Sequence, residues 1–87
     1  MTLLLDPPTW PARGTVWSHL VSDRSFEELH DFARRCGLPE SGFHRDHYDV
    51  PEARYAEVLA AGAEPVTSRE LVARITAAGL RRRKPRR

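Results

Sequence analysis

The chain has 87 residues, of which 40% are hydrophobic and 30% charged, a balance typical of one soluble globular domain. A chain of this length has a small core and little room for a deep, enclosed substrate pocket. No run of residues approaches the length of a membrane span, and no basic leader precedes the first leucines. A single cysteine, Cys36, excludes an internal disulfide. These observations predict a cytoplasmic protein.

The charge is divided unevenly along the chain. The last seven residues, RRRKPRR, hold six of the 14 basic side chains, and the preceding 80 residues hold 8 basic and 12 acidic ones. We therefore predict one domain over residues 1–80 and a basic, disordered tail over residues 81–87. Clustered arginine and lysine bind phosphate backbones, or merely keep a protein soluble. The nucleic-acid-binding candidates are Arg81, Arg82, Arg83, Lys84, Arg86 and Arg87.

The first quarter of the chain predicts two strands joined by a rigid connector. The run TLLLD (2–6) is apolar and stops at two prolines, which is typical of a short buried strand. Three prolines make PPTWPARG (7–14) a turn-rich connector. The segment TVWSHLVSD (15–23) predicts a second strand with apolar residues on both faces, and we expect both faces to be covered.

Three helices and two further strands follow. The capping boxes SFEE, beginning at Ser25, and TSRE, beginning at Thr67, open the first and third helices. A strand near 43–48 precedes the second helix, which begins around Pro51, and a very short strand, AEPV, follows that helix. The order β-β-α-β-α-β-α predicts an α/β fold with a small, partly parallel sheet packed by three helices. Each helix ends at a glycine: Gly37, Gly62 and Gly79.

The segment FHRDHYDV places two histidines and two aspartates, His44, Asp46, His47 and Asp49, within six consecutive positions. A helix is disfavoured here because a proline follows the segment. The side chains of a regular strand alternate between faces, so His47 and Asp49 point one way, and His44 and Asp46 point the other way. The four side chains therefore do not converge on one ion, and at most one pair joins ligands from elsewhere.

Further polar residues lie at the predicted carboxyl ends of strands, where ligands bind in α/β sheets. Asp6 ends the first strand, Asp23 the second, and His47 and Asp49 the third. If these strands run parallel, the four residues share one edge of the sheet. We therefore predict that Asp6, Asp23 and Asp49 ligate Mg²⁺ or Mn²⁺. His47 and His19 are the candidate catalytic residues, with His47 as the acid–base group.

Each candidate also has a structural interpretation. Asp49 has the spacing of a capping residue for the second helix, and Asp6 is typical of a turn before two prolines. Asp23 fits the loop before the first helix. His19 lies mid-strand among apolar neighbours, which favours a hydrogen-bonded core histidine. His30 is predicted to lie on the solvated side of the first helix.

Two classes of function agree with these residues, and a third has weaker support. The first class is a hydrolase that uses a divalent metal to process a phosphoester in nucleic acid or a nucleotide. The second is a non-catalytic accessory protein that contacts nucleic acid or a protein partner through the polar edge and the basic tail. The third is an inert structural homodimer. Zinc-finger, metalloprotease and phosphate-loop motifs are absent from the sequence.

Five segments that cover nearly the whole chain together resemble a small bacterial and phage family of unknown function. They are LLLDPPTWP, WSHLVSD, LHDFARRCGLP, DHYDVPEARY and GAEPVTSRELV. The resemblance is strongest in WSHLVSD and in HYDVP. It implies a complete, free-standing cytoplasmic unit and supplies no catalytic roles. It draws attention to the polar and aromatic residues inside those two segments: Trp17, Ser18, His19, Asp23, His47, Tyr48 and Asp49.

Overall fold

A computed structural model describes residues 2–81 of the chain. Over this range three α-helices pack against one six-stranded sheet, which confirms the predicted α/β class. The strands are β1 (Leu3–Leu5), β2 (Trp10–Ala12), β3 (Thr15–Ser22), β4 (Phe43–His44), β5 (His47–Pro51) and β6 (Glu64–Pro65). The helices are α1 (Phe26–Arg35), α2 (Glu52–Ala60) and α3 (Ser68–Ala77), and a 3-10 turn covers Glu40–Gly42.

The sheet is only partly parallel, and its main strands run antiparallel. The strand order is β4-β5-β3-β1-β6, and β2 pairs with the first half of β3. β3 is antiparallel to its neighbours β1 and β5, whereas β6 is parallel to β1. A partly parallel sheet is confirmed, but the condition that the first three predicted strands run parallel is not met. The predicted connector also differs, because it contains β2.

A tight turn at Arg45 and Asp46 is the reason for the reversed direction of β5. The helix α1 returns the chain to β4, which runs in the same direction as β3, since both are antiparallel to β5. The turn then reverses the chain, so the strand predicted near 43–48 is two strands of a hairpin. Arg45 has φ 57°, in the left-handed region that non-glycine residues seldom adopt. The sequence therefore carries no glycine signal for this turn.

Apolar side chains cover both faces of the sheet, as predicted for the second strand. Leu20 packs on one face, in a core that includes Leu29 of α1 and Val58 of α2. Val21 packs on the other face, in a smaller core that includes Leu71 and Ile75 of α3. The protein is therefore a three-layer α/β structure, and polar groups on the α3 side lie beside a small core. Every helix within residues 2–81 is too short or too polar to cross a lipid bilayer.

The helix ends agree with the predicted caps. Ser25 accepts a hydrogen bond from the Glu28 amide, and Thr67 accepts one from the Glu70 amide. Glu28 does not complete its capping box, because its Oε1 accepts a hydrogen bond from Ser22 Oγ instead. The glycines after the three helices have positive φ values of 74°, 125° and 78°, which is the conformation expected of a helix-ending glycine.

Asp23 connects the start of β1 to α3. Its Oδ1 accepts a hydrogen bond from the Thr2 amide at 3.0 Å, and its Oδ2 accepts one from the Arg74 guanidinium at 2.7 Å. Burial raises the pKa of Asp23, but the hydrogen bonds from Arg74 and Thr2 outweigh burial, so the pKa lies below its usual range. The ionised carboxylate of Asp23 therefore stabilises the folded state.

We predict that Asp23→Asn lowers the free energy of unfolding by about 1 kcal/mol at pH 7, because it removes the ion pair with Arg74. The folded-state pKa of Asp23 is lowered, so its stabilisation is present above the unfolded-state value and disappears as the pH falls through the folded-state value. Urea denaturation should therefore show the difference shrinking below about pH 4. Glu70→Gln, which removes the longer 3.5 Å contact to Arg74, should change stability little. A difference that is constant down to pH 3 would contradict this role for Asp23.

Candidate metal site

The β4–β5 hairpin places His44 on the same side of the sheet as His47 and Asp49. His44 is paired with His47 across the hairpin, and its Nε2 lies 3.7 Å from Asp49 Oδ2. Alternation along one regular strand predicts His44 on the opposite face, which is wrong because the turn divides the segment into two strands. The shared face predicted for His47 and Asp49 is confirmed, since they are two residues apart in β5. His44 is therefore an additional residue of the site.

His19 completes a group of three possible metal ligands. It lies directly opposite Asp49 in the β3–β5 ladder, so the two side chains share a face. One ligand atom from each of His19, His47 and Asp49 lies within 4.8 Å of the other two. Two atoms bound to a tetrahedral zinc ion at about 2.1 Å are about 3.4 Å apart. The two ligand atoms that lie farthest apart would therefore have to approach each other by at most about 1.4 Å to bind such an ion.

A second carboxylate orients each histidine. Asp6 Oδ2 lies 3.0 Å from His19 Nδ1, and Asp46 Oδ1 lies 2.9 Å from His47 Nδ1. A carboxylate only accepts hydrogen bonds, so each Nδ1 carries the donated proton, and in the neutral imidazole each Nε2 is left with a lone pair. Metal-binding histidines are held in this way by an outer carboxylate that sets the tautomer and the ring orientation.

The two orienting carboxylates are themselves held by several donors. Asp6 is 2% exposed and also accepts hydrogen bonds from the His19 amide at 2.6 Å and from Ser68 Oγ at 2.8 Å. Asp46 accepts two hydrogen bonds from Arg81, at 2.7 Å from Nε and 3.0 Å from Nη2. Asp6 therefore connects β1, β3 and α3, whereas Asp46 connects the hairpin to the residue that follows α3 by four positions.

The pKa values reflect these contacts. The hydrogen bond to Asp6 raises the pKa of His19; burial opposes the shift, and the charges of Asp6 and Asp49 add to it. Burial raises the pKa of Asp6, but its hydrogen bonds with His19 and Ser68 outweigh burial and lower it overall. Burial likewise acts against the lowered pKa of Asp46, which the hydrogen bonds from Arg81 and His47 produce. Both orienting carboxylates are thus anions at neutral pH.

Asp49 has a buried oxygen that lacks a hydrogen bond. The residue is 7% exposed, and its Oδ1 finds no hydrogen-bond partner within residues 2–81. His47 Nε2 lies 3.2 Å from this oxygen, but the alignment of the two groups does not make a hydrogen bond. With the His47 proton on Nδ1, this contact brings an imidazole lone pair against a carboxylate oxygen. A cation here, either a proton on Nε2 or a metal ion, would remove the repulsion.

Two cavities adjoin the cluster. A small one of about 120 Å³ is lined by His19, His47 and Arg81, among others, and it is large enough for a few water molecules. A larger cleft of about 300 Å³ is bordered by His44 and Asp49. Trp10 of β2 stacks on the His19 ring, with the ring centroids 5.6 Å apart, and limits access to that histidine.

The structure brings some of the sequence-predicted site residues together and separates others. Asp6, His19, His47 and Asp49 lie side by side, but Asp6 orients a histidine instead of facing the same ion. Asp23 lies at the opposite end of β1, four residues along the strand from Asp6, which corresponds to about 13 Å. The predicted three-aspartate site is therefore not formed in this geometry, because β1 and β3 are antiparallel.

Several structural interpretations are also decided by the contacts. Asp49 does not cap α2, whose N-cap is Pro51 and has no side-chain hydrogen bond. His30 is half-buried and its ring contacts Tyr48 Oη at 2.7 Å, so the expectation of a solvated surface histidine is wrong. Arg81 contacts Asp46, and the remaining tail candidates, with the predicted disorder of the tail, lie outside the described residues: Arg82, Arg83, Lys84, Arg86 and Arg87.

The fold and the site define a small three-layer α/β domain whose sheet carries a histidine–carboxylate cluster with metal-ligand spacing. The chain belongs to a family described as a protein of unknown function (DUF4031), whose model matches residues 3–78. This match agrees with the resemblance to an uncharacterised family inferred from the WSHLVSD and HYDVP segments. No curated protein and no solved structure matches the chain.

We predict that Asp6→Ala lowers the free energy of unfolding by about 3 kcal/mol, because it leaves three partly buried donors without an acceptor. Ser68→Ala removes one of these donors and leaves the other two paired, so its expected cost is about 1 kcal/mol. Denaturant unfolding of the two variants measures both values. Equal losses would show that Asp6 is not the shared acceptor on which this part of the structure depends.

Proposed function

We propose that His19, His47 and Asp49 bind a divalent transition metal, and that the protein uses it to hydrolyse phosphoesters. The observation that carries the proposal is the pair of orienting carboxylates. Each histidine has its Nδ1 held by an aspartate, His47 Nε2 lies 3.2 Å from the unpaired oxygen of Asp49, and a ring nitrogen of His19 lies within 4.8 Å of an Asp49 carboxylate oxygen. A buried carboxylate oxygen that faces imidazole lone pairs is costly without a cation.

The residue types favour zinc, iron or manganese over magnesium. Magnesium prefers a shell of oxygen ligands, which is why three aspartates would suit it, whereas imidazole suits later transition metals. Two histidines and one carboxylate with further positions open occur in catalytic zinc sites and in non-haem iron sites. The proposed site therefore differs from the all-aspartate site predicted from the sequence in its ligands and in disfavouring Mg²⁺, whereas Mn²⁺ fits both.

A bound ion of this kind polarises a phosphoryl oxygen and lowers the pKa of coordinated water. His47 is a ligand in this proposal and is not the acid–base residue, because both of its ring nitrogens face carboxylates. His44 takes that role. Its side chain is 62% exposed, lines the larger cleft and lies beside Asp49. As a water oxygen, its proton passing to solvent, formed the new bond to phosphorus, the bond from phosphorus to the leaving oxygen would break, and that oxygen would take a proton from His44.

The first test is metal retention. After equilibration with Zn²⁺, Mn²⁺ or Mg²⁺ and gel filtration, wild-type protein should retain about one transition-metal ion per chain and no Mg²⁺. His19→Ala and Asp49→Ala should each weaken the affinity by more than the 10–100-fold that loss of an outer partner costs. Isothermal titration calorimetry measures the affinities.

His30→Ala is the matched control, because it removes the one histidine that lies outside the cluster. It should keep wild-type metal affinity even if its contact with Tyr48 makes the fold less stable. Metal retention that survives His19→Ala, or no retention by wild type, would overturn the proposal. In the second case a proton on His47 Nε2 would explain the close contact with Asp49.

The second test concerns His44 as the proton donor. His44→Ala should slow the cleavage of a dinucleoside phosphate by about 100-fold, because its alkoxide leaving group needs a proton. The same variant should cleave bis(p-nitrophenyl) phosphate at nearly the wild-type rate, since nitrophenolate leaves without one. Metal content should be unchanged in the variant. An equal loss for both substrates would contradict the assignment of His44 as the acid.

A non-catalytic nucleic-acid-binding role is the second candidate, and the position of Arg81 favours it. The basic run begins at this residue, which lines the small cavity together with His19 and His47. The polar cluster and the start of the run are therefore neighbours. Nucleic-acid binding by protein that retains no metal would support this role over hydrolysis.

A further inference from the structure

We propose that the larger cleft binds a nucleotide, with Arg13 as the contact for its phosphate group. This inference rests on the proposed function for its meaning, since it names the substrate class of that site. It depends on different residues, however, and its test does not require a metal. The cleft extends from His44 and Asp49 to the turn between β2 and β3, where Arg13 and Trp17 line it.

The larger cleft has the size of a substrate site, whereas the cavity beside Arg81 does not. Its volume is about 300 Å³, at the lower end of the range for sites that bind small organic ligands. The cavity beside Arg81 has about 120 Å³, which is room for water and not for a nucleotide. Asp49, one of the proposed metal ligands, borders the larger cleft together with His44. A molecule bound in this cleft would therefore lie next to the proposed metal site.

Arg13 supplies a cationic group that is free to bind an anion. Its guanidinium lies over the Trp17 ring, 4.6 Å from the ring centroid. Within residues 2–81 it forms no ion pair with a carboxylate and no side-chain hydrogen bond. Its five N–H donors are therefore available, and a guanidinium presents them in the planar arrangement that matches phosphate oxygens.

The turn that carries Arg13 is held in a defined conformation. Arg13 and Gly14 have φ values of 48° and 81°, the left-handed pair that a two-residue hairpin turn requires. The Trp17 indole N–H donates to the Ala12 carbonyl at 2.9 Å, which fixes the ring beneath the guanidinium. A cation held on a rigid aromatic platform loses little conformational entropy when it binds a phosphate.

The remaining lining residues fit a ligand with a flat organic part. Trp17, Pro39 and Pro51 give the cleft apolar walls, and Ser41 adds a hydroxyl group. Arg54 also lines the cleft, but its guanidinium is paired with Glu57 and with the Cys36 carbonyl. Arg54 therefore carries less free charge, and Arg13 is the principal phosphate contact. Phosphate recognition next to apolar walls selects a nucleotide over free phosphate.

The test is calorimetric titration of the full chain with adenosine 5′-monophosphate, adenosine and inorganic phosphate, first without metal and then with Zn²⁺. Adenosine 5′-monophosphate should bind at least tenfold more tightly than either fragment. Arg13→Ala should weaken its binding about tenfold and leave adenosine binding unchanged. Arg13→Lys should recover part of the loss, because it restores the charge without the planar donors.

Arg45→Ala is the matched control, since Arg45 is an exposed arginine at φ 57° in the other hairpin turn and does not line the cleft. It should bind the nucleotide like wild type. Equal binding of the nucleotide and adenosine, or equal effects of the two substitutions, would overturn the inference. Nucleotide binding that depends on Arg13 in a protein that retains no metal would support the inference and contradict the proposed function.

Discussion

His19 lies opposite Asp49 on antiparallel neighbouring strands, and the other features of the site depend on this pairing. Cross-strand partners on one face are within direct contact, so a histidine and a carboxylate are brought together without help from a loop. His47 joins them because it is two residues from Asp49 on the same strand, and Trp10 stacks on His19 as a diagonal neighbour. A cluster fixed by strand register varies less in geometry than one carried by loops.

The outer carboxylates fix the orientation of the two histidine rings in this cluster. Asp6 and Asp46 hold the Nδ1 atoms, so both Nε2 lone pairs remain for the interior of the cluster. A core histidine needs only one such partner, whereas here two neighbouring histidines have the same arrangement. The unpaired oxygen of Asp49 adds a third electron-rich group. Three such groups facing one another favour a bound cation over a purely structural role.

The sequence predicts the elements of this fold better than their directions. The caps at Ser25 and Thr67 and the helix-ending glycines follow local rules, because each depends on a hydrogen bond or a backbone angle within four residues. The direction of β5 depends on the turn at Arg45, where a non-glycine residue has a positive φ, and no local rule favours that. The shared face of His47 and Asp49 follows from alternation, but the position of His44 and the separation of Asp23 from Asp6 depend on the turn and on antiparallel pairing.

The same dependence on tertiary contacts applies to Arg81. Its charge alone suggests a contact with nucleic acid, yet its guanidinium donates twice to Asp46, 35 positions away along the chain. The packing of α3 against the sheet, through Leu71 and Ile75, brings Arg81 to the hairpin. Asp46 in turn orients His47, so the small core on this face and the cluster are connected through one ion pair. A substitution in α3 that shifts Arg81 would therefore alter the orientation of His47 through Asp46.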